Sequence, residues 1–136
     1  MDKERILYKV KEMEYYISLL ETLLPLTGNE YKKLDEFKKA AVERYSQLIS
    51  EGQLDICKEI YKDMNLPPPS SNESIFEKLE VRIDNSTLAR IKKLREVRND
   101  LTHAYSHFDD LRLFNVLTPD DYMHDFLDEV KKLVLK

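Results

Sequence analysis

Four side chains that could bind or cleave a phosphodiester lie close together near residue 100, namely Arg98, Asn99, His103 and Tyr105. Histidine titrates near neutral pH, so it can accept or donate a proton during a reaction. Arginine presents a planar fork of N–H donors that matches phosphate oxygens. A chance occurrence of the string Arg-Asn-x-x-x-His-x-Tyr in such a composition is on the order of one in a thousand. The residue types and their spacing therefore point to chemistry on a phosphate group.

The element that must position these side chains is a predicted helix over about 87–105. Wound at about 100° per residue, it gathers an apolar stripe that must face the core. That stripe consists of Leu94, Val97, Leu101 and Ala104. Asn99 and His103 are four residues apart and share one strip, while Arg98 and Tyr105 line up at the border of the stripe. Arg98 and His103 lie about 140° apart, so one chain does not easily bring both to the same phosphate.

Basic residues are concentrated on the approach to this motif. Against the single acid Glu96, the segment carries Arg90, Lys92, Lys93, Arg95 and Arg98 within nine residues. Such a local patch suits phosphate groups. A solvated helix face explains the same run without any ligand, and both interpretations stay open. Under the first interpretation the candidate RNA-binding residues are Arg90, Lys92, Arg95 and Thr102.

The overall composition limits the function classes. The 136 residues carry 22 basic and 26 acidic side chains, which gives a net charge of −4. This charge argues against a protein that binds nucleic acid non-specifically along its length, and no DNA partner is expected. The single cysteine, Cys57, excludes an internal disulfide and a cysteine-based zinc site, and is most simply a small buried residue. His107 and His124 lack the spacing of metal ligands, so no metal and no cofactor are expected. No stretch is apolar enough to cross a bilayer, which favours a cytoplasmic protein without membrane contact.

Apolar spacing predicts a single all-α domain over 1–136, an up-and-down bundle of about five helices. The first helix is expected over 3–24 and the second from about Asn29 to Met64, with Gly52 marking a bend. The second helix offers Leu34, Phe37, Ala41, Leu48, Ile56 and Ile60 as buried candidates. A short helix over about 74–80 and the motif helix follow. The last helix is expected to start at Thr118-Pro119-Asp120-Asp121, because a proline and acids suit a helix N-terminus.

The motif resembles the Arg-x4-His-x-Tyr motif of HepT, the toxin subunit of HepT/MntA toxin–antitoxin pairs in the HEPN superfamily. The similarity extends to the second helix over 41–60, to the proline loop at 66–69 and to the segment 94–109. It implies a HEPN-like homodimer that cleaves RNA without metal, with both motif helices lining one cleft. Arg98 and His103 would be catalytic, with Asn99 orienting His103 or the ribose. The RNA would be tRNA or mRNA.

The resemblance also implies a partner and a modification. In a type II-like pair, an MntA-like nucleotidyltransferase antitoxin would add AMP to Tyr105, blocking the phosphate site by bulk and charge. Composition alone favours a plainer role for Tyr105, an aromatic residue at the edge of the core. The competing function is a non-catalytic HEPN subunit that binds a nucleotide or a nucleotidyltransferase. A helical adaptor with an accidental motif is the third possibility.

Overall fold

The computed structural model describes residues 1–103, 110–118 and 122–136, and for residues 102, 103 and 110 it describes only the helical backbone. This part of the chain forms seven α-helices and contains no strand. The helices are α1 (Lys3–Leu23), α2 (Gly28–Lys32), α3 (Glu36–Lys62), α4 (Asn72–Leu79), α5 (Asn85–His103), α6 (Asp110–Leu117) and α7 (Tyr122–Val134). In these residues no helix is long and apolar enough to span a membrane.

The bundle is built on two long helices. The first helix is confirmed and buries one apolar stripe, which consists of Ile6, Val10, Met13, Ile17 and Leu20. Helix α1 packs against α3 and α7, and α3 also contacts α4 and α5. Helix α5 packs in addition against α6 and α7, and α2 lies against α6. The motif helix is therefore held between the long helix α3 on one side and the C-terminal helices on the other.

The predicted second helix is two helices in the structure. Asp35 separates them, because its carboxylate accepts a hydrogen bond from the backbone N–H of Lys38 at 2.9 Å and so caps α3. Phe37, predicted to be buried, is 89% exposed in the first turn of α3. It lies five residues before buried Val42, about 140° round the helix from the apolar stripe.

Two further differences concern Gly52 and the region after the motif. Helix α3 continues through Gly52, where a Cβ would lie 2.7 Å from Sδ of Met13, so the glycine allows α1 and α3 to approach closely. The segment 111–117, for which no helix was predicted, belongs to α6, whose Leu113 and Leu117 are buried. Together with the division of the second helix, this gives seven helices in the described residues where about five were expected. Of the expected start of the last helix at 118–121, residues 119–121 lie outside the described residues, and α7 is described from Tyr122 onward.

Candidate active site

Helix α5 is anchored at its start and along one face, which fixes the direction of its polar side chains. The carboxylate of Asp84 accepts hydrogen bonds from the hydroxyl of Ser86 and from the backbone N–H groups of Ser86 and Thr87. These bonds hold the pKa of Asp84 below its usual value. The face toward the core is formed by Leu88, Ile91, Leu94 and Val97, all of them buried. As predicted, the charged and amide side chains are left on the flanks of the apolar stripe.

Arg98 is directed from α5 toward α3. Its side chain is half-buried, and this burial lowers the pKa of the guanidinium, while the carboxylates of Glu43 and Glu51 on α3 act in the opposite direction. Arg98 lines a groove of about 280 Å³ between the two helices. The groove is lined by Gln47, Ser50 and Glu51 of α3 and by Arg95, Arg98 and Asn99 of α5.

A second groove adjoins the first on the other flank of Arg95 and Asn99. It measures about 590 Å³ and lies between α5 and the start of α4. Its lining consists of Ser71, Asn72, Glu73, Lys92, Arg95, Glu96 and Asn99. Arg95 and Asn99 line both grooves, so the two lie side by side across α5, and we call the pair the channel. A flexible polyanion could follow such a channel past Lys92, Arg95 and Arg98.

The structure brings together most of the predicted residues whose side chains it describes. Arg98, Asn99, Arg95 and Lys92 share the channel, with Asn99 exposed and the three cations half-buried. Arg90 does not join them. Its guanidinium carbon lies 5.2 Å from the ring centroid of Tyr122, and it lines a separate groove between α5 and α6.

For the predicted RNA contact Thr102 and the motif residue His103, the structure describes only the backbone. The helical backbone of α5 continues through Thr102 and His103, so His103 stands one turn after Asn99 on the same strip. Arg98 and His103 are still five residues apart on this helix, which keeps them about 140° apart. Tyr105 lies outside the described residues.

The wall that α3 contributes to the channel was not predicted from the sequence. None of its lining residues, Gln47, Ser50 and Glu51, was predicted as a site residue. The signal that could have indicated this wall is a set of buried polar side chains that interrupt the apolar stripe of α3, namely Ser46, Ser50 and Gln53. Buried polar side chains on one helical face are unusual enough to be a signal. The Gln47 amide donates a hydrogen bond to Oε1 of Glu51 at 3.1 Å, which places a carboxylate opposite Arg98.

Metal and thiol chemistry can be assessed only in the part of the chain that the structure describes. In the described ranges no group of three or more His, Cys, Asp or Glu side chains could hold a metal ion. Burial raises the pKa of the Cys57 thiol to about 12, with a smaller opposing effect from the nearby charge of Arg95. Cys57 is fully buried in α3, as predicted, and a neutral buried thiol is a poor nucleophile. His124 pairs with Glu21, its Nε2 lying 3.0 Å from Oε1.

Comparisons with known proteins identify the family and the fold. The family described as "Ribonuclease HepT-like" matches residues 13–133. No curated protein matches the chain. A solved structure of a tri-AMPylated HEPN toxin from Shewanella oneidensis, in complex with an MNT antitoxin, is similar with a TM-score of 0.79 at 22% identity, covering 97% of this chain and 98% of the toxin.

Two further solved structures have the same architecture. The cytosolic protein YutE of Bacillus subtilis, of unknown function, gives a TM-score of 0.79 at 20% identity and covers 98% of this chain and 90% of its own. A mutant of the toxin–antitoxin MntA–HpeT gives a TM-score of 0.77 at 22% identity, and the match covers 93% of this chain and 97% of the other. These similarities confirm the predicted all-helical HEPN-like fold.

Proposed function

The chain belongs to the Ribonuclease HepT-like family, and from that premise we propose that it is a metal-independent endoribonuclease, the toxin of a toxin–antitoxin pair. The single observation that carries the proposal is the channel in which Arg98, Arg95 and Asn99 lie together, on the helix that also carries His103. We take the whole chain, 1–136, as one HEPN-like domain acting in the cytoplasm on tRNA or mRNA.

The proposed reaction uses the RNA's own ribose as the nucleophile. The 2′-hydroxyl loses its proton and attacks the adjacent phosphorus, the P–O5′ bond breaks, and the departing 5′-oxygen gains a proton. The products are a 2′,3′-cyclic phosphate and a 5′-hydroxyl end. This route needs a proton carrier and positive charge on the phosphate, but no metal.

Six of the predicted residues have a role in this reaction. Arg98 neutralises the scissile phosphate with its guanidinium fork, and its half-buried position strengthens that interaction. His103 transfers the proton, and Asn99 orients either the His103 ring or the ribose. Lys92 and Arg95 hold neighbouring phosphates along the channel, and Thr102 is a further polar contact. Arg90 lies too far round the helix to take part in this channel.

A homodimer is a requirement of this mechanism. One chain offers one motif histidine, and Arg98 and His103 diverge around α5. A two-fold axis beside α5 would bring each Arg98 close to the His103 of the partner chain. A protein that stays strictly monomeric at assay concentrations contradicts the proposal.

The regulatory partner we propose is an MntA-like nucleotidyltransferase antitoxin that adds AMP to Tyr105. Support comes from the similar Shewanella oneidensis toxin, which is tri-AMPylated and complexed with an MNT antitoxin. A nucleotide attached close to Arg98 along the chain would bring negative charge to the place where the substrate phosphate must bind. The modified protein is therefore expected to lose RNA binding.

The decisive experiment is cleavage of end-labelled RNA in excess chelator, after mass spectrometry has shown that the protein is unmodified. Wild type and His124→Ala are expected to cut and to leave cyclic-phosphate ends, whereas His103→Ala is inactive. His124 is a matched control because it lies on α7, where it pairs with Glu21 of α1, and it does not line the channel. Absence of cleavage by the unmodified wild type contradicts the nuclease and favours a non-catalytic nucleotidyltransferase-binding subunit.

The composite site has its own test. Arg98→Ala and His103→Ala proteins are mixed, unfolded and refolded together, so that mixed dimers form. If Arg98 of one chain acts with His103 of the other, the mixture recovers up to about a quarter of wild-type activity, because half the dimers are mixed and each retains one intact pair. Activity equal to that of the separate variants contradicts a shared site.

A further inference from the structure

A third groove lies on the opposite side of α5 from the channel and belongs to no part of the proposed reaction. It measures about 340 Å³ and is lined by Arg90, Lys93, Val97, Arg112, Asn115 and Val116. Three of these six side chains are cationic, and they come from two different helices, α5 and α6. We name it the α5–α6 groove.

The cations of this groove are arranged around an apolar floor. Val97 and Val116 are buried and form the floor, while Lys93, Arg112 and Asn115 are exposed at the rim. The Lys93 ammonium is 3.8 Å from Oε1 of Glu96, a loose pair between two exposed side chains. It therefore keeps most of its capacity for an anion.

The two arginines are positioned by neighbours on other helices. The Arg112 Nη2 donates to Oδ2 of Asp100 at 2.7 Å, which uses one of its five N–H donors and fixes the side chain beside α5. Arg90 is held over the ring of Tyr122 at 5.2 Å. Guanidinium planes held in this way can bind phosphate or stack on a nucleobase.

These features match one nucleotide unit in size and chemistry. A base can lie on the floor of Val97 and Val116, since bases present apolar faces, while the Asn115 amide offers both a donor and an acceptor to a base edge. The three cations supply the countercharge for the phosphate. A pocket of this volume is within the range that holds small ligands.

We propose that the α5–α6 groove binds a nucleotide, through its 5′-phosphate and its base. The nucleotide is either a free mononucleotide or a residue of a single-stranded RNA whose other part occupies the channel on the far side of α5. In the RNA form the inference rests on the proposed ribonuclease function. It assigns Arg90, Lys93, Arg112 and Asn115 to nucleotide binding outside the cleavage site.

Binding is tested separately from cleavage, with a fluorescent single-stranded RNA that carries 2′-O-methyl groups throughout and cannot be cut. Affinity is measured against salt for wild type, for Lys93→Gln/Arg112→Gln, and for a matched control, Lys11→Gln/Lys38→Gln, in which exposed lysines of α1 and α3 are replaced. Losing the countercharge for the one phosphate in the groove lowers the slope of log affinity against log salt by about 0.7. The groove variant is expected to show this loss and the control is not. Equal slopes in the two double variants, together with AMP binding that Lys93→Gln does not weaken, overturn the proposal, whether or not the protein is a nuclease.

Two further measurements identify the source of the nucleotide and guard against misfolding. AMP and inorganic phosphate are titrated as competitors of the labelled RNA. If AMP displaces the RNA, and Lys93→Gln raises the AMP concentration that is needed, the groove binds a free mononucleotide. If the RNA binds and AMP does not compete with it, the groove binds a residue of the RNA strand. Lys93→Gln alone keeps the pair between Arg112 and Asp100, so it reports on the groove even if the double variant is unstable. A wild type that binds neither AMP nor RNA overturns the proposal.

Discussion

Gly52 of α3 lies directly against Met13 of α1, so closely that a Cβ at position 52 would be 2.7 Å from the methionine sulfur. This contact sets the separation of the two longest helices of the bundle at the level of the channel. Ser50 and Glu51, the two residues before Gly52, line the channel opposite Arg98. The packing of α1 on α3 therefore decides where the α3 wall stands relative to the motif helix.

Gly52→Ala is expected to destabilise the protein although alanine is the better helix former. The helix gains about 1 kcal/mol from the replacement, whereas overpacking a buried contact costs about 1–3 kcal/mol. The net loss of about 1 kcal/mol is read from urea or thermal unfolding. In a Met13→Ala background the space is open, so Gly52→Ala should become stabilising. The same sign in both backgrounds contradicts this account of the glycine.

If the channel binds RNA as proposed, Glu51 is expected to weaken that binding. Its carboxylate lies in the groove with Arg98 and would repel a phosphate there. A charge removed about 4 Å from a phosphate changes its binding by about 1 kcal/mol even in water, or roughly fivefold in affinity. Glu51→Gln is therefore expected to bind uncleavable RNA more tightly, by fluorescence anisotropy. Glu4→Gln, at an exposed site on α1, is the control. Weaker binding by Glu51→Gln would mean that the carboxylate holds Arg98 in place.

Tyr61 tethers the proline loop that leads into α4. Its hydroxyl donates a hydrogen bond to the backbone carbonyl of Pro67 at 2.6 Å, and the ring is largely buried. Tyr61→Phe keeps the ring and leaves the carbonyl unpaired, so unfolding should require about 1 kcal/mol less. Tyr8→Phe, at a tyrosine that is 67% exposed, should leave the unfolding midpoint unchanged. Equal midpoints for the two variants would show that the hydrogen bond contributes nothing.

Elements with strong local signals could be predicted from the sequence. The stripe of α1 and the placement of Arg98 and Asn99 beside the core follow from a 3.6-residue period, and the structure has both. The boundary between α2 and α3 was missed because a single cap, Asp35, outweighs an apolar pattern that runs on either side of it. Phe37 was misassigned for the same reason, since the cap brings it into the first turn and off the buried stripe.

Only the α5 side of the channel could be predicted from the sequence. Helical spacing places Arg95, Arg98 and Asn99 on neighbouring strips of α5, but it says nothing about which helix faces them. Gln47 and Glu51 are about fifty residues earlier in the chain, and only the packing of α3 on α5 brings them to the groove. Packing likewise separates Arg90 from the rest of a basic run that is continuous in the sequence.

Cys57 gives the protein a specific sensitivity to alkaline pH. Burial raises the pKa of its thiol from 9.0 to about 12, so the folded chain keeps a proton that the unfolded chain releases. The stability contribution is complete below about pH 9 and is lost as the pH rises toward the folded pKa. In that window the free energy of unfolding should fall by up to about 1.4 kcal/mol per pH unit more in wild type than in Cys57→Ala. Urea titrations of both proteins between pH 8 and 11 measure the difference, and parallel pH profiles would contradict it.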